Sequence, residues 1–384
     1  MSDSLAIVIA AHDRPESLAR LLTSLARVEG VGTVPVVVSI DGGGARHRAV
    51  VAAATEFAQR HRGPATVVEH DHLGLVAHFH ACGDLTARYG AVLFLEDDLI
   101  VGPGALVWAQ SALRHGRDDA RIAGVGLAAP WFDGYRHHPF EPLPDGTDAF
   151  YLQVPWYHGM AWTADMWERY RTSAQVDGVA IHPAFDALDA DEWFPAAMRY
   201  LVATGRTYLF PRTPQASNQG DAGTHFATTS NRFQVAIDVA TRHGWSIPAL
   251  DEAVAYDDHQ ELTTATLARL QPDLAAVQPI VDLRGVRSPA SVAGRTLLTT
   301  RPVRRADQRW GLRLRPAEAN VIHGIDGSGI ALAEASDVFD SRWATWAARG
   351  AVSHHAARGH RPGMRSLVRQ RVDLAALRWF DGRR

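Results

Sequence analysis

The sequence predicts an α/β protein built on a mostly parallel, doubly wound sheet flanked by helices, and three observations carry that prediction. Short apolar, β-prone runs at 5–11, 34–40, 66–69 and 91–95 alternate with stretches of helical spacing. Each run is followed by polar residues or by a glycine-rich turn, so the chain leaves the core where the strands end. The chain has 384 residues, of which 46% are hydrophobic, enough to bury a sizeable core and to exclude disorder throughout. Crossovers in such a sheet are right-handed, which gathers the carboxyl ends of the strands at one edge, where open α/β sheets bind ligands.

The elements follow in order. Residues 5–11 read as a strand, His12, Asp13 and Arg14 as a polar loop, and Leu18, Leu21, Leu22 and Leu25 as the apolar face of a helix with Pro15 in its first turn. A second strand at 34–40 ends in Asp41 and three glycines, with a helical stretch over 45–60 after it. A third strand covers 66–69, and a helix over 76–89 leads into the strand at 91–95. That strand runs straight into Glu96, Asp97 and Asp98, the most informative feature of the chain. Three adjacent carboxylates repel one another unless a cation sits among them, and a hard divalent ion carrying phosphate oxygens answers that need. A solvated acidic turn is the plain alternative.

Residues from about 130 to 229 are rich in aromatics and broken by Pro and Gly, which reads as a loop-rich lobe. The stretches 235–242 and 251–270 have helical spacing, Pro272, Pro279 and Pro289 break the pattern, and 311–315 alternates like a strand. The expected organisation is therefore 1–130 and 131–270 as two halves of the same domain, the second a loop-rich substrate lobe, and 271–384 as a C-terminal extension. No internal repeat or low-complexity segment is present.

Composition narrows the functions. A net charge of −3 gives no basic field for nucleic acid. Cys82 is the only cysteine, which forbids an internal disulfide and points to a reducing cytoplasm. The first residues lack the basic and small-residue marks of a signal peptide, and no run is apolar enough for a membrane span. Lysine is absent and Asp41 is followed by glycines without Gly-Lys-Ser/Thr, so a P-loop enzyme is disfavoured. Nineteen histidines raise the question of zinc; His70, His72, His78 and His80 are closely spaced, yet no His-Glu-x-x-His pattern occurs. The Arg-rich stretch 349–384 suits either a solvated helix or peripheral contact with an anionic membrane or a partner protein.

The series of strand 5–11 with Arg14, strand 34–40 with Asp41, Leu95 to Leu99 with its three carboxylates, and the segment 157–162 resembles the metal-dependent glycosyltransferases of the GT-A fold, near N-acetylglucosaminyltransferase I and its O-mannose-directed relatives. The resemblance covers roughly residues 5–230 and implies that 1–130 is the nucleotide-sugar-binding half and 131–270 the acceptor and catalytic half of one GT-A domain. It implies a Rossmann-like sheet and an inverting enzyme that moves a sugar from a nucleotide-sugar, with UDP as the expected nucleotide, to a hydroxyl of a glycan, lipid-linked or small-molecule acceptor. By that resemblance Ala11, Arg14, Asp41, His80, Glu96, Asp97 and Arg212 would face the nucleotide-sugar, and Asp98 would hold Mn2+ or Mg2+. Trp131, Gly159, Trp162 and Trp193 would shape the donor and acceptor pocket. Asp191 would be the general base, with Glu192 and Asp189 as alternatives because the surroundings depart from the family pattern. A glycine-bearing loop near 216–224 would close over the donor. Competing readings are a nucleotidyltransferase acting on sugar phosphates, whose basic glycine-rich first turn is missing here, and a non-catalytic carbohydrate-binding protein that stacks sugars on tryptophan.

Overall fold

The computed structural model describes residues 5–132, 139–173, 176, 178–188, 192–222 and 228–339. The chain forms two compact units, one of residues 1–281 with 286–291, the other of residues 282–285 with 292–384.

The first unit begins with β1 (Leu5–Ala11), α1 (Pro15–Leu25), β2 (Val36–Ile40), α2 (His47–Arg60), β3 (Ala65–Glu69), α3 (Leu75–Asp84), α4 (Thr86–Tyr89) and β4 (Ala91–Glu96). It continues with β5 (Leu99–Val101), α5 (Ala105–Gly116), β6 (Ile122–Gly126), β7 (Ala149–Leu152), β8 (Met160–Thr163), α6 (Ala164–Thr172), α7 (Pro183–Asp186), α8 (Trp193–Thr204), β9 (Thr207–Pro211), β10 (Ala216–Asn218), β11 (Ala255–Tyr256) and α9 (Thr264–Leu270). Nine of these strands form one sheet in the order β11-β7-β9-β6-β8-β4-β1-β2-β3. Pairing is parallel from β4 through β1 and β2 to β3, while β8 enters antiparallel between β4 and β6. The fold class expected from the alternation is therefore the one observed. β1, β2 and the inner residues of β4 are buried on both faces, as continuous Val, Ile and Leu runs require.

Pro15 takes the first position of α1, where its missing N–H is no loss, and Leu18, Leu21, Leu22 and Leu25 face the core. The stretch 76–89 breaks at Leu85 into two helices rather than one. Four of the sheet's strands come from the segment that composition marks as a loop-rich lobe or its far side: β7, β8, β9 and β11 are only two to five residues long and aromatic, so they lack the long alternation that reveals a strand. The helix expected at 235–242 is not formed. The Val235 N–H donates to Ser217 Oγ and the Asp238 N–H to the Pro214 carbonyl, so this backbone is tied laterally instead of to itself. Within 251–270 only α9 is helical, started by Thr263, whose hydroxyl accepts from the Thr266 N–H.

The boundary strand β12 (Ile280–Asp282) leads to the second unit, which contains β13 (Thr296–Thr299), β14 (Gln308–Trp310), α10 (Ala319–Ile322) and β15 (Ile330–Glu334). β15 lies antiparallel between β13 and β14. The strand expected at 311–315 falls instead on 308–310, because the Gly311 N–H turns away to the Ile325 carbonyl. Buried Asn320 ties this turn through both of its amide atoms, accepting from the Arg313 and Leu314 N–H groups and donating to the Leu314 and Ala317 carbonyls. The Arg-rich stretch 349–384 lies outside the described residues.

Packing between α3 and α6 is unusually close. A Cβ added at Gly83 would lie 2.1 Å from the Trp167 ring, so only glycine lets the two helices approach. Gly83→Ala is expected to lower stability by about 1–3 kcal/mol, read as a lower denaturation midpoint with unchanged slope; an unchanged midpoint would show that the ring moves freely.

Candidate functional site

Register places three strand ends side by side. Ala10 pairs with Glu96, Ala11 pairs with Ile40, and the Asp41 N–H donates to the Ala11 carbonyl at 2.9 Å. Ala11 is buried between them and contributes backbone, leaving Asp41 and the carboxylates after β4 as the chemistry of this edge.

β4 ends at Glu96, and Asp97 and Asp98 form the turn into β5, which pairs antiparallel with β10. The Gln219 N–H holds the Asp98 carbonyl at 2.8 Å, so β10 clamps the turn from its far side. Asp97 and Asp98 are both buried, Asp98 being only 8% exposed. A solvated acidic turn is thereby excluded. The cation among these carboxylates comes from the chain itself: Arg14, at the start of α1, donates Nη1 to Asp98 Oδ2 at 2.8 Å and pairs through Nη2 with Asp97. Burial works against the guanidinium charge, yet Asp97 and Asp98 together hold its pKa above the ordinary value. One guanidinium does not balance the cluster. Burial and its neighbours Asp98 and Asp97 push Glu96 well above the usual carboxylate range, although Arg14 opposes this. Burial raises Asp97 to about 6 against the pull of Arg14. Asp98 Oδ1 is buried and has no hydrogen-bond partner. A buried, orphaned carboxylate oxygen beside further acidic groups fits a hard divalent cation.

Glu192 belongs to the same field. Its charge acts on Glu96, and the pKa of Tyr157 is raised first by burial and then by Glu96 and Glu192. Asp189 and Asp191, the other candidates for the base, lie outside the described residues. The segment after β10 crosses toward α1, where Asp221 Oδ2 accepts from Ser17 Oγ at 2.6 Å and pairs with Arg20. Within the expected closing loop, 223–227 lie outside the described residues.

Asp41 is buried, and its two oxygens accept from the N–H groups of Leu73 at 2.6 Å and Gly74 at 3.1 Å. Burial alone would raise its pKa, but those two N–H groups hold it below the ordinary value. Histidines surround it: His12 Nδ1 lies 3.1 Å from the Asp41 carbonyl, His72 Nδ1 lies 3.3 Å from Asp41 Oδ2, and His70 and His78 share Ser39 Oγ at 2.9 Å each. Burial lowers His78 to about 4, so it is neutral. The expected contact of His80 with the nucleotide does not fit this placement. Two residues along α3 reverse the direction of the side chain, so His78 faces Asp41 while His80 meets Tyr170 Oη at 3.3 Å and the Trp167 ring of α6.

Two of the expected pocket aromatics are core residues. Trp162 is 2% exposed, donates Nε1 to Tyr208 Oη at 2.6 Å and sits among Phe79, Phe94 and Trp167. Trp193 is 3% exposed and stacks on Phe79 at 4.3 Å and 10°. Trp131 is 38% exposed, with Nε1 on the Arg232 carbonyl at 2.9 Å, and remains at the surface. Gly159 has φ +92° and a Cβ there would strike Leu127 at 2.7 Å, so its role is to let the chain pass into β8. Arg212 lies after β9, three strands from β4 along the sheet, paired with Asp145 at 2.8 Å and over the Phe150 ring. It is not brought to the carboxylates after β4. Sequence reasoning gave no site role to Tyr157 or to His12, His70, His72 and His78 around Asp41; their signals were the segment 157–162, the polar loop after β1 and the closely spaced histidines after β3.

No family model matches the chain, and no curated protein matches it. Among solved structures, part of the chain is similar to S. aureus TarS 1–349 in complex with UDP-GlcNAc, at 17% identity over 30% of this chain and 32% of that one, with a TM-score of 0.25. It is similar to the mannosyltransferase PcManGT from Pyrobaculum calidifontis in complex with GDP-Man and Mn2+, at 12% identity over 43% and 46% of the two chains and a TM-score of 0.31. S. aureus TarS 1–349 alone aligns at 11% identity over 57% and 61%, with a TM-score of 0.36. The chain thus spans less than two thirds of the length of each of these structures.

Two outcomes follow from the burial and charge of these side chains. Trp193→Ala should lower stability by about 3–5 kcal/mol, as loss of a buried aromatic does, in chemical denaturation; a variant of unchanged stability with weakened ligand binding would restore the pocket role. Arg14→Gln should cost about 3 kcal/mol at pH 7. The folded pKa of Asp97, about 6, exceeds its ordinary 3.8, so the folded state holds the extra proton and stability from this group is greatest below that ordinary value and falls as pH rises toward 6. Removing Arg14 steepens that fall, so the loss should shrink at pH 5, where the carboxylates take protons. Equal losses at the two pH values would contradict the charge assignment.

Proposed function

We propose that the chain is a glycosyltransferase of the GT-A type that moves a sugar from a nucleoside-diphosphate donor, UDP being the expected nucleotide, to an acceptor hydroxyl with inversion. The observation that supports this most is Asp98 Oδ1, buried and without a partner, in a carboxylate cluster that Arg14 alone does not neutralise, at the carboxyl edge of the sheet.

In this reading Asp98 holds a divalent ion, and Mn2+ or Mg2+ when bound there supplies the positive charge that stabilises the departing diphosphate. Arg14 stands beside it, able to keep Asp97 and Asp98 oriented or to turn toward phosphate. Glu96 and Asp97 face the ribose and donor sugar, and raised pKa values let them donate as well as accept hydrogen bonds. Asp41 marks the nucleoside end, one strand beyond β1. Glu192 is the base candidate whose position is described: its carboxylate takes the acceptor O–H proton, the acceptor oxygen bonds to the anomeric carbon, and the bond to the diphosphate oxygen breaks with its electron pair leaving on the nucleoside diphosphate. Asp191 and Asp189 are its neighbours in sequence and the alternatives for that role. The acceptor is a glycan, a lipid-linked sugar or a small molecule. Among the described residues no helix is long and apolar enough to cross a membrane.

Purified protein incubated with a panel of UDP- and GDP-sugars should release nucleoside diphosphate slowly by hydrolysis with Mn2+ or Mg2+ and not with EDTA. Glu192→Gln should keep donor affinity within about twofold while transfer falls by about a hundredfold or more; equal loss of binding and transfer would remove it as the base. If no donor is turned over and nucleotide affinity ignores metal, the transferase reading fails.

A further inference from the structure

We infer that His12, Asp41 and His72 form a second metal site, for a borderline transition ion such as Zn2+ or Co2+, distinct from the hard-cation position at Asp98. The three residues meet where β1 and β2 end: His12 follows β1, Asp41 follows β2, and His72 lies in the loop before α3. One donor atom from each lies within 4.8 Å of the other two. Two imidazoles and a carboxylate are a donor set suited to Zn2+ and its neighbours, whereas Mn2+ and Mg2+ favour oxygen.

The rings are already held for this task. His12 Nδ1 donates to the Asp41 carbonyl at 3.1 Å and His72 Nδ1 to the Gly42 carbonyl at 3.0 Å, which leaves a lone pair on each Nε2. Backbone carbonyls on the non-ligating nitrogen are the usual means of fixing a metal-binding histidine. Asp41 keeps its charge because the Leu73 and Gly74 N–H groups stabilise it, and each of its oxygens retains a further lone pair. Beneath it the His70 and His78 rings are engaged with Ser39. A tetrahedral ion with bonds of about 2.1 Å holds its ligands roughly 3.4 Å apart, so the donor atoms must draw in, and the exposed His72 ring, whose Nδ1 is the nitrogen 3.3 Å from Asp41 Oδ2, must turn to present Nε2. The other group with comparable spacing, Asp257, Asp258 and His259, is already committed. Asp257 pairs with Arg287 and accepts from the His259 and Glu261 N–H groups, and Asp258 accepts from the His182 N–H and lies 2.8 Å from His259 Nδ1.

Co2+ titration of the metal-free full chain, followed by its visible d–d absorbance and by Zn2+ displacement, tests the assignment. One equivalent should give the intense bands of low coordination number. His72→Gln and His12→Gln should each weaken binding about tenfold or more, and His72→Gln, at an exposed ring, leaves the fold unaltered. Asp98→Asn and His259→Gln should develop those intense bands with an affinity within about twofold of the parent. Unchanged affinity in both His12 and His72 variants, or loss in Asp98→Asn or His259→Gln, would overturn the site without bearing on glycosyl transfer.

Discussion

Arg14 opposes a set of carboxylates that the sheet forces together, and the rest of the site depends on how incompletely it does so. β4 ends on Glu96 and the turn that follows is Asp97 and Asp98, so the backbone fixes three acids within a few ångströms. α1 begins at Pro15, one residue after Arg14, which makes the guanidinium a consequence of where the first helix starts. Two oxygens of the cluster are satisfied by Arg14; Asp98 Oδ1 is not. A fully neutralised cluster would be a structural ion pair and nothing more. In the proposed reading, it is this residual charge that draws a further cation to the edge.

The surrounding architecture preserves that imbalance. β5 and β10 clamp the acidic turn, and the Gln219 N–H donates to the Asp98 carbonyl, so the backbone carbonyl of Asp98 is satisfied while Oδ1 of its carboxylate is not. α8 begins immediately after Glu192, so the helix that buries Trp193 against Phe79 also fixes Glu192, whose charge acts on Glu96. The aromatic layer of Phe79, Trp162, Trp167 and Trp193 packs α3, β8, α6 and α8 together. Two strands from β4, after β2, buried Asp41 lies among His12, His72 and His78, a setting that adds ring nitrogens to its carboxylate.

How much of this was legible in the sequence varies with the physical origin of each feature. β1, β2 and β4 were readable because strands buried on both faces are continuous apolar runs, and the acids after β4 stood out against them. The short aromatic strands β7, β8 and β9 were not, since four or five residues carry too little periodicity and tryptophan in a strand looks like tryptophan in a pocket. That the carboxylates needed a cation was legible; that Arg14 was part of the answer required the fold, because 83 residues separate it from Asp97. His78 and His80 could be placed on one helix but not assigned to its faces without knowing which side packed on Ser39 and which on Tyr170. Arg212 looked free to meet phosphate, and only the structure reveals Asp145 beside it.

The central claim is that the edge after β4 is one cation short and takes a divalent ion together with a nucleotide. Mn2+ affinity measured by electron paramagnetic resonance, with and without UDP, tests it most directly. The account predicts that UDP tightens Mn2+ binding, that Mn2+ tightens UDP binding by the same factor, and that Asp98→Asn removes this coupling while the fold is retained. Mn2+ affinity indifferent both to UDP and to the loss of Asp98 would contradict it.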